Sequence, residues 1–160
     1  MSDVMETMTD QRSWALADEA ATEALGRRLA GLINGGMVLY LEGPLGAGKT
    51  SFARALLIAL GVGERVKSPT YSLVEGYRAH GRPAWHLDLY RIADPGELEW
   101  LGLDALSDQA ALVLVEWPER GIGALPAADL ELHLRYVDDG RQATFCARSA
   151  RGAELLARLV

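Results

Sequence analysis

The run Met37-Val-Leu-Tyr-Leu-Glu-Gly-Pro-Leu-Gly-Ala-Gly-Lys-Thr50 decides the fold. Its opening, Met37 to Leu41, is continuously apolar, the pattern of a central strand covered on both faces. Gly43 to Thr50 then fits G-x-x-x-x-G-K-[ST]. Thr50 to Leu60 reads as a helix that buries Phe52, Leu56, Ala59 and Leu60 and stops at Gly61. Strand, glycine-rich loop and helix in that order are the context in which this pattern cradles phosphate.

Each part of the pattern has a physical task. Glycines at 43, 46 and 48 permit backbone angles closed to other residues and let amide groups converge on phosphate oxygens. The same amides, with those of Ala47 and Ser51, sit at the start of a helix whose positive dipole end favours an anion. Lys49 is placed to reach terminal phosphates, and the Thr50 hydroxyl to ligate Mg²⁺. The only asparagine is Asn34, with no lysine after it, so the Asn-Lys-x-Asp signature of guanine readers is missing and ATP is favoured over GTP.

Outward from the loop, Ala21, Leu25, Leu29, Leu32 and Ile33 recur at helical spacing behind an N-cap at Asp18, and Gly35-Gly36 is read as the end of that helix. A short strand is expected over Arg12–Ala17, and residues 1–11 are read as a mobile tail before a domain spanning 12–160. Tyr71–Arg78 and Ala84–Tyr90 read as strands joined by a turn at His80-Gly81-Arg82-Pro83, which makes part of the sheet antiparallel. Asp94-Pro95-Gly96-Glu97 opens another helix, Ala111–Val115 is a second buried strand, and Asp138-Asp139-Gly140 turns a hairpin between Asp129–Tyr136 and Gln142–Arg148. A helix over Ala153–Leu159 closes the chain. The alternation predicts an α/β fold: a single three-layer α/β/α domain with a mixed central sheet.

The 160 residues suit one core, and 49% apolar content is that of a globular domain. Net charge of −6 argues against a large nucleic-acid footprint, DNA included, because phosphate-backbone affinity comes from Lys and Arg. No apolar run approaches the ~20 residues that span a membrane. With no signal-peptide pattern at the start and a lone cysteine, Cys146, the cytoplasm is the expected address. Of sixteen basic residues only Lys49 and Lys67 are lysines, and both fall in segments expected to face the nucleotide.

An acid at the end of a buried strand usually completes a Mg²⁺ site beside such a loop. Glu116, after Ala111–Val115, is one candidate. Asp88, in His86-Leu-Asp-Leu-Tyr-Arg91, is the other, because His86, Asp88 and Tyr90 alternate with leucines and give that strand a polar face. His86 is read as a hydrogen-bonded strand residue, and the three histidines show no pair at zinc-ligand spacing. Lys67-Ser68-Pro69-Thr70 is short, polar and stiffened by proline, in the place where such ATPases carry a phosphate-sensing switch.

Gly43 to Thr50, Lys67 to Thr70, His86 to Arg91 and Glu116-Trp117 together resemble, in order and spacing, the TsaE family, bacterial ATPases of tRNA threonylcarbamoyladenosine biosynthesis. The resemblance runs from about Arg12 to the last hairpin. It implies a protein that binds ATP and Mg²⁺, hydrolyses ATP slowly alone, and works with two partners, TsaB and TsaD. TsaD carries out the transfer next to the tRNA anticodon, and ATP hydrolysis resets the partner complex. The tRNA is then met only indirectly, through that complex. By position, Lys49 and the loop amides bind phosphates, Thr50 and Glu116 hold Mg²⁺, Asp88 positions the attacking water, and Lys67 to Thr70 form the switch. Trp117 is expected beside the nucleotide, and the helix start from Glu19 to Thr22 near the adenine. Pro44 departs from the family's more usual acidic residue and removes one amide donor, at a position that faces away from the phosphates.

Two rival readings use the same loop. A small-molecule kinase would carry an arginine-bearing lid, and no arginine-rich insertion stands out in the sequence. A nucleotide-gated binding module without turnover would need the loop and the Mg²⁺ site but has little use for a water-positioning acid at Asp88.

Overall fold

The computed structural model describes residues 11–62, 73–101 and 106–159. Their strands form one seven-stranded mixed sheet: β1 (Gln11–Leu16), β2 (Met37–Glu42), β3 (Val74–Ala79), β4 (Arg82–Asp88), β5 (Leu112–Glu116), β6 (Leu130–Val137) and β7 (Gly140–Ala147), in the order β1-β7-β6-β2-β5-β4-β3. The four central strands β6, β2, β5 and β4 are parallel, while β3 and β7 are antiparallel to their neighbours. The two continuously apolar runs, β2 and β5, lie side by side at the middle, where both faces of a strand are covered. The α/β class and mixed sheet read from the sequence are those observed.

Alternation along these strands builds two cores. Met37, Leu39 and Leu41 face α1 (Glu19–Ala30), α2 (Lys49–Leu57) and α3 (Ala150–Arg158). Val38, Val113, Val115, Leu87 and Leu89 face the other way, where the covering layer among the described residues consists of 3₁₀ turns at Pro95–Leu101 and Pro118–Gly121 with their connections. The helix expected from Asp94 onward is this first 3₁₀ turn; its capping holds, with the Gly96 N–H on Asp94 Oδ1 at 2.9 Å and the Ala93 N–H on Glu97 Oε2 at 3.0 Å.

Asp18 caps α1 by accepting from the Ala21 N–H at 2.9 Å. The helix ends at Ala30, before Gly35-Gly36, because Leu32 and Ile33 tighten into bonds to carbonyls three residues back and pack on the core from that turn. The α1–α2 contact is close: a Cβ at Gly26 would lie 2.8 Å from the Phe52 carbonyl oxygen, so only glycine fits there. Past Leu57 the chain widens into a π turn over Ile58–Val62, which shifts the helical phase. Leu60 stays buried, but Ala59, expected in the core, faces solvent.

The β3–β4 turn uses only His80 and Gly81, both at positive φ, so Arg82 and Pro83 belong to β4 instead of the turn. The strand ends at Asp88, leaving Tyr90 beyond it. At the amino ends of the parallel strands, Asp129 ties α3 to the sheet. Its carboxylate accepts from the Val38 N–H at 2.8 Å, Ser149 Oγ at 2.7 Å and Arg151 Nη2 at 2.8 Å. Burial alone would raise its pKa, but Arg151, Ser149 and the Val38 N–H outweigh that and hold it below the usual carboxylate value. No helix among the described residues is long and apolar enough to cross a membrane. The segments 1–10, 63–72 and 102–105 lie outside the described residues, and with them most of the expected tail and the whole of Lys67, Ser68, Pro69 and Thr70.

Candidate functional site

The glycine-rich loop leaves the carboxyl end of β2 and enters α2, which is where open α/β sheets gather their ligand sites. Gly43, Gly46 and Gly48 take φ of +148°, +78° and +109°. A side chain at Gly43 would meet the Leu134 carbonyl oxygen at 2.5 Å, so that glycine also serves the contact between loop and β6. Gly48 caps α2 without a side-chain acceptor, which leaves the N–H groups of the first turn directed into the cleft. The Pro44 carbonyl accepts from the Ala47 N–H at 3.2 Å.

The cleft encloses about 330 Å³ and is lined by Leu45, Gly46, Gly48, Lys49, Thr50, Ser51, Asp88, Tyr90, Arg91, Glu116 and Trp117. The structure thus brings together the loop, the β4 acid, the β5 acid and the tryptophan, segments widely separated in the chain. Gly43 and Ala47 stand behind this lining. Glu19 reaches the site through Ser51, whose Oγ donates to Glu19 Oε1 at 2.8 Å, and it lines a smaller adjoining groove with Glu23, Arg27 and Arg54.

Lys49 is 5% exposed, and its ammonium donates to the carbonyls of Gly43 and Pro44. It also lies 3.7 Å from the centre of the Trp117 ring, a cation–π contact. Trp117 takes a left-handed backbone at φ 59°, which turns its indole over the lysine and against Tyr90, with ring centres 4.9 Å apart. Burial lowers the Lys49 pKa, against the pull of Glu116, Asp88 and Glu119. Among the described residues no carboxylate lies within 4.0 Å of this ammonium, so a buried cation faces the cleft without an anionic partner.

The two acids sit side by side because β4 and β5 are parallel and in register, Asp88 opposite Glu116. Glu116 is 2% exposed and accepts from Thr50 Oγ1 at 2.9 and 3.0 Å. Its Oε2 also lies 2.7 Å from His86 Nε2, so the buried imidazole fixes the carboxylate from below; His86 Nδ1 finds no partner among the described residues. Thr50 and Glu116 present only oxygen at one point, a donor set that suits a hard cation such as Mg²⁺. Asp88 is 7% exposed and sits inside the sheet, not on its edge. One of its oxygens, Oδ1, accepts the Tyr90 N–H at 3.1 Å. Burial raises its pKa, the Tyr90 N–H opposes this, and the neighbouring Glu116 adds to the rise.

On the opposite face of the sheet, His133 Nε2 lies 3.2 Å from Glu42 and 3.1 Å from Glu131, and Arg148 pairs with Glu131 at 3.1 Å. Spacing between histidines gave no hint of this cluster, because its carboxylates come from a neighbouring strand and from the alternate position on the same strand.

The model of the family described as threonylcarbamoyl adenosine biosynthesis protein TsaE matches residues 16–144. The chain is 37% identical over 157 residues to the tRNA threonylcarbamoyladenosine biosynthesis protein TsaE of Haemophilus influenzae, covering 95% of this chain and 97% of that one. It is 36% identical over 138 residues to the protein of that name from Bacillus subtilis, covering 86% of each. The crystal structure of Bacillus subtilis YdiB matches its fold with a TM-score of 0.76 at 31% identity, over 93% of both chains. The chain belongs to the TsaE family.

Proposed function

We propose that this protein binds ATP and Mg²⁺ in the cleft between the glycine-rich loop and β4–β5 and hydrolyses the ATP slowly, as the ATPase component of tRNA threonylcarbamoyladenosine biosynthesis in the cytoplasm. Family membership supports the biosynthetic role. The observation that carries the nucleotide reading is Lys49: a buried ammonium with no carboxylate partner among the described residues, at the amino end of α2 and beside the Thr50–Glu116 pair. A polyphosphate supplies the anion such a site lacks.

In this reading the labour is divided as follows. Lys49 and the amides of the loop and first helical turn orient the phosphates and stabilise charge on them. Thr50 and Glu116 would hold Mg²⁺, which would neutralise charge on the terminal phosphates. His86 keeps the Glu116 carboxylate turned toward Thr50. Asp88 has one oxygen on the Tyr90 N–H, and the other accepts a hydrogen bond from the attacking water. Trp117, stacked on the Lys49 ammonium, walls the nucleotide on its far side. Lys67, Ser68, Pro69 and Thr70 keep the role of phosphate-sensing switch on sequence grounds. Glu19, through Ser51, marks the side on which the adenine is proposed to lie.

TsaB and TsaD are the proposed partners, with hydrolysis resetting their complex between cycles and tRNA engaged only through it. The test is phosphate release from Mg-ATP by the purified chain, with and without the TsaB–TsaD pair. Slow release that rises with the pair is expected. Release unchanged by the pair removes the coupling to that complex, and no binding of ATP at all removes the nucleotide reading.

A further inference from the structure

The loop is gripped from outside by the β6–β7 hairpin. Tyr136, near the end of β6, donates its hydroxyl to the Leu45 carbonyl at 2.9 Å. Arg141, near the start of β7, donates from Nε to the Ala47 carbonyl at 3.2 Å and from Nη2 to the Gly46 carbonyl at 3.3 Å. The guanidinium lies 4.6 Å from the centre of the Tyr136 ring, so the two donors brace each other. Three consecutive loop carbonyls are therefore held by two side chains of one hairpin. In a trans peptide, the C=O of one residue and the N–H of the next point in opposite directions. Fixing the carbonyls of 45, 46 and 47 outward consequently turns the amides of Gly46, Ala47 and Gly48 inward. Ala47 spends its N–H on the turn to Pro44, while those of Gly46 and Gly48 meet no protein acceptor among the described residues. A Cβ at Gly46 would lie 2.9 Å from the Tyr136 hydroxyl oxygen, so this glycine also makes room for the grip.

We propose that Tyr136 and Arg141 are positioning residues that preset the loop amides for phosphate before any ligand arrives. The proposal rests on the nucleotide reading above. It assigns to the final hairpin, which carries none of the catalytic groups, a share of the affinity. A preset amide cradle binds its anion without first losing conformational freedom, and Arg141 reaches its two carbonyls from two nitrogens held in one plane, a spacing that the single nitrogen of lysine does not reproduce.

The experiment compares the full chain with Arg141→Ala, Arg141→Lys, Tyr136→Phe and, as a control on the same hairpin, Arg135→Ala, whose guanidinium donates to Gln142 at 2.7 Å and not to the loop. ATP affinity is read by calorimetry, and loop order by ¹⁵N relaxation at Gly46 and Gly48 in the nucleotide-free protein. Affinity is expected to fall about 10- to 30-fold for Arg141→Ala and about 3- to 10-fold for Tyr136→Phe, with Arg135→Ala unchanged. Order parameters at Gly46 and Gly48 are expected to drop in both weakened variants, and Arg141→Lys is expected to behave like Arg141→Ala. Full affinity in Arg141→Lys would assign the effect to charge and overturn the positioning role, as would unaltered loop order in Arg141→Ala. If the unmodified chain binds no ATP, the nucleotide reading fails, and loop order alone then decides whether the hairpin sets the loop.

Discussion

Two buried acidic centres occupy opposite ends of the same parallel strands and are treated in opposite ways. At the amino ends, Asp129 is saturated with donors and its pKa is held low. At the carboxyl ends, Asp88 is as buried but has one donor among the described residues, and burial with a neighbouring glutamate pushes its pKa up. The first arrangement holds α3 to the sheet. The second leaves hydrogen-bonding capacity unmet among the described residues and sets two acids side by side, an arrangement that costs stability and fits the chemical role proposed for it. The contrast teaches that burial alone does not distinguish an acid proposed for chemistry from one that holds the fold; the number of donors around it does.

The largest effect is expected at the cleft cation. Lys49→Ala should weaken ATP binding more than about 100-fold while the melting temperature moves by only a few degrees. Calorimetry that finds full affinity would mean the buried ammonium is structural after all, and the two ends of the sheet would no longer differ in kind. Next, Asp88→Asn should lower phosphate release about 100- to 1,000-fold with ATP affinity held within a few-fold. Thermal unfolding of that variant should show no loss of stability, since a poorly compensated buried charge has been removed. Unchanged turnover would take Asp88 out of the reaction.

The smallest effect on turnover, and the clearest on stability, belongs to Asp129. Asp129→Asn should lose roughly 2 kcal/mol in urea unfolding and leave turnover per folded molecule intact. Its pH dependence has a definite sign. Because the folded-state pKa is depressed, the stabilisation is fully present above the unfolded value of about 3.9 and is lost as pH falls through the folded value. The gap between the natural chain and Asp129→Asn should therefore be flat from about pH 5 to 8 and close below about pH 4. A gap that does not narrow at all as pH falls below about 4 would show that the carboxylate charge is not what ties α3 down.

Sequence made the cleft end legible and the other end almost opaque, for a physical reason. The loop, Lys49, Thr50 and the two apolar strands are local patterns whose spacing is the geometry. Asp88 beside Glu116 needed the register of β4 on β5, and the motif order supplied that indirectly. Asp129 was read only as the first residue of a strand, because its donors come from Val38, Ser149 and Arg151, none of them a neighbour at helical or strand spacing. Arg141 and Tyr136 leave no local sequence signal for the same reason. Ala59 departs from the expected helical phase because a π turn changes that phase without leaving a composition signal. The expected helix at Asp94 had its cap right and its type wrong, since capping chemistry opens a 3₁₀ turn as well as an α-helix.

The pairing of first strand with last has a consequence in time. Among the described strands β1 pairs with β7 alone, and the donors that brace Gly46 and Ala47 lie 95 and 94 residues further along the chain. A ribosome adding about 5–20 residues per second needs on the order of 5–20 s to cover that distance. Throughout that interval the nascent chain has its loop but not its brace, and its first strand but nothing to pair it with. Such long-range closure also makes for slow folding once synthesis ends. The β6–β7 hairpin is thus made long after the loop it holds, so the contacts of the loop close late.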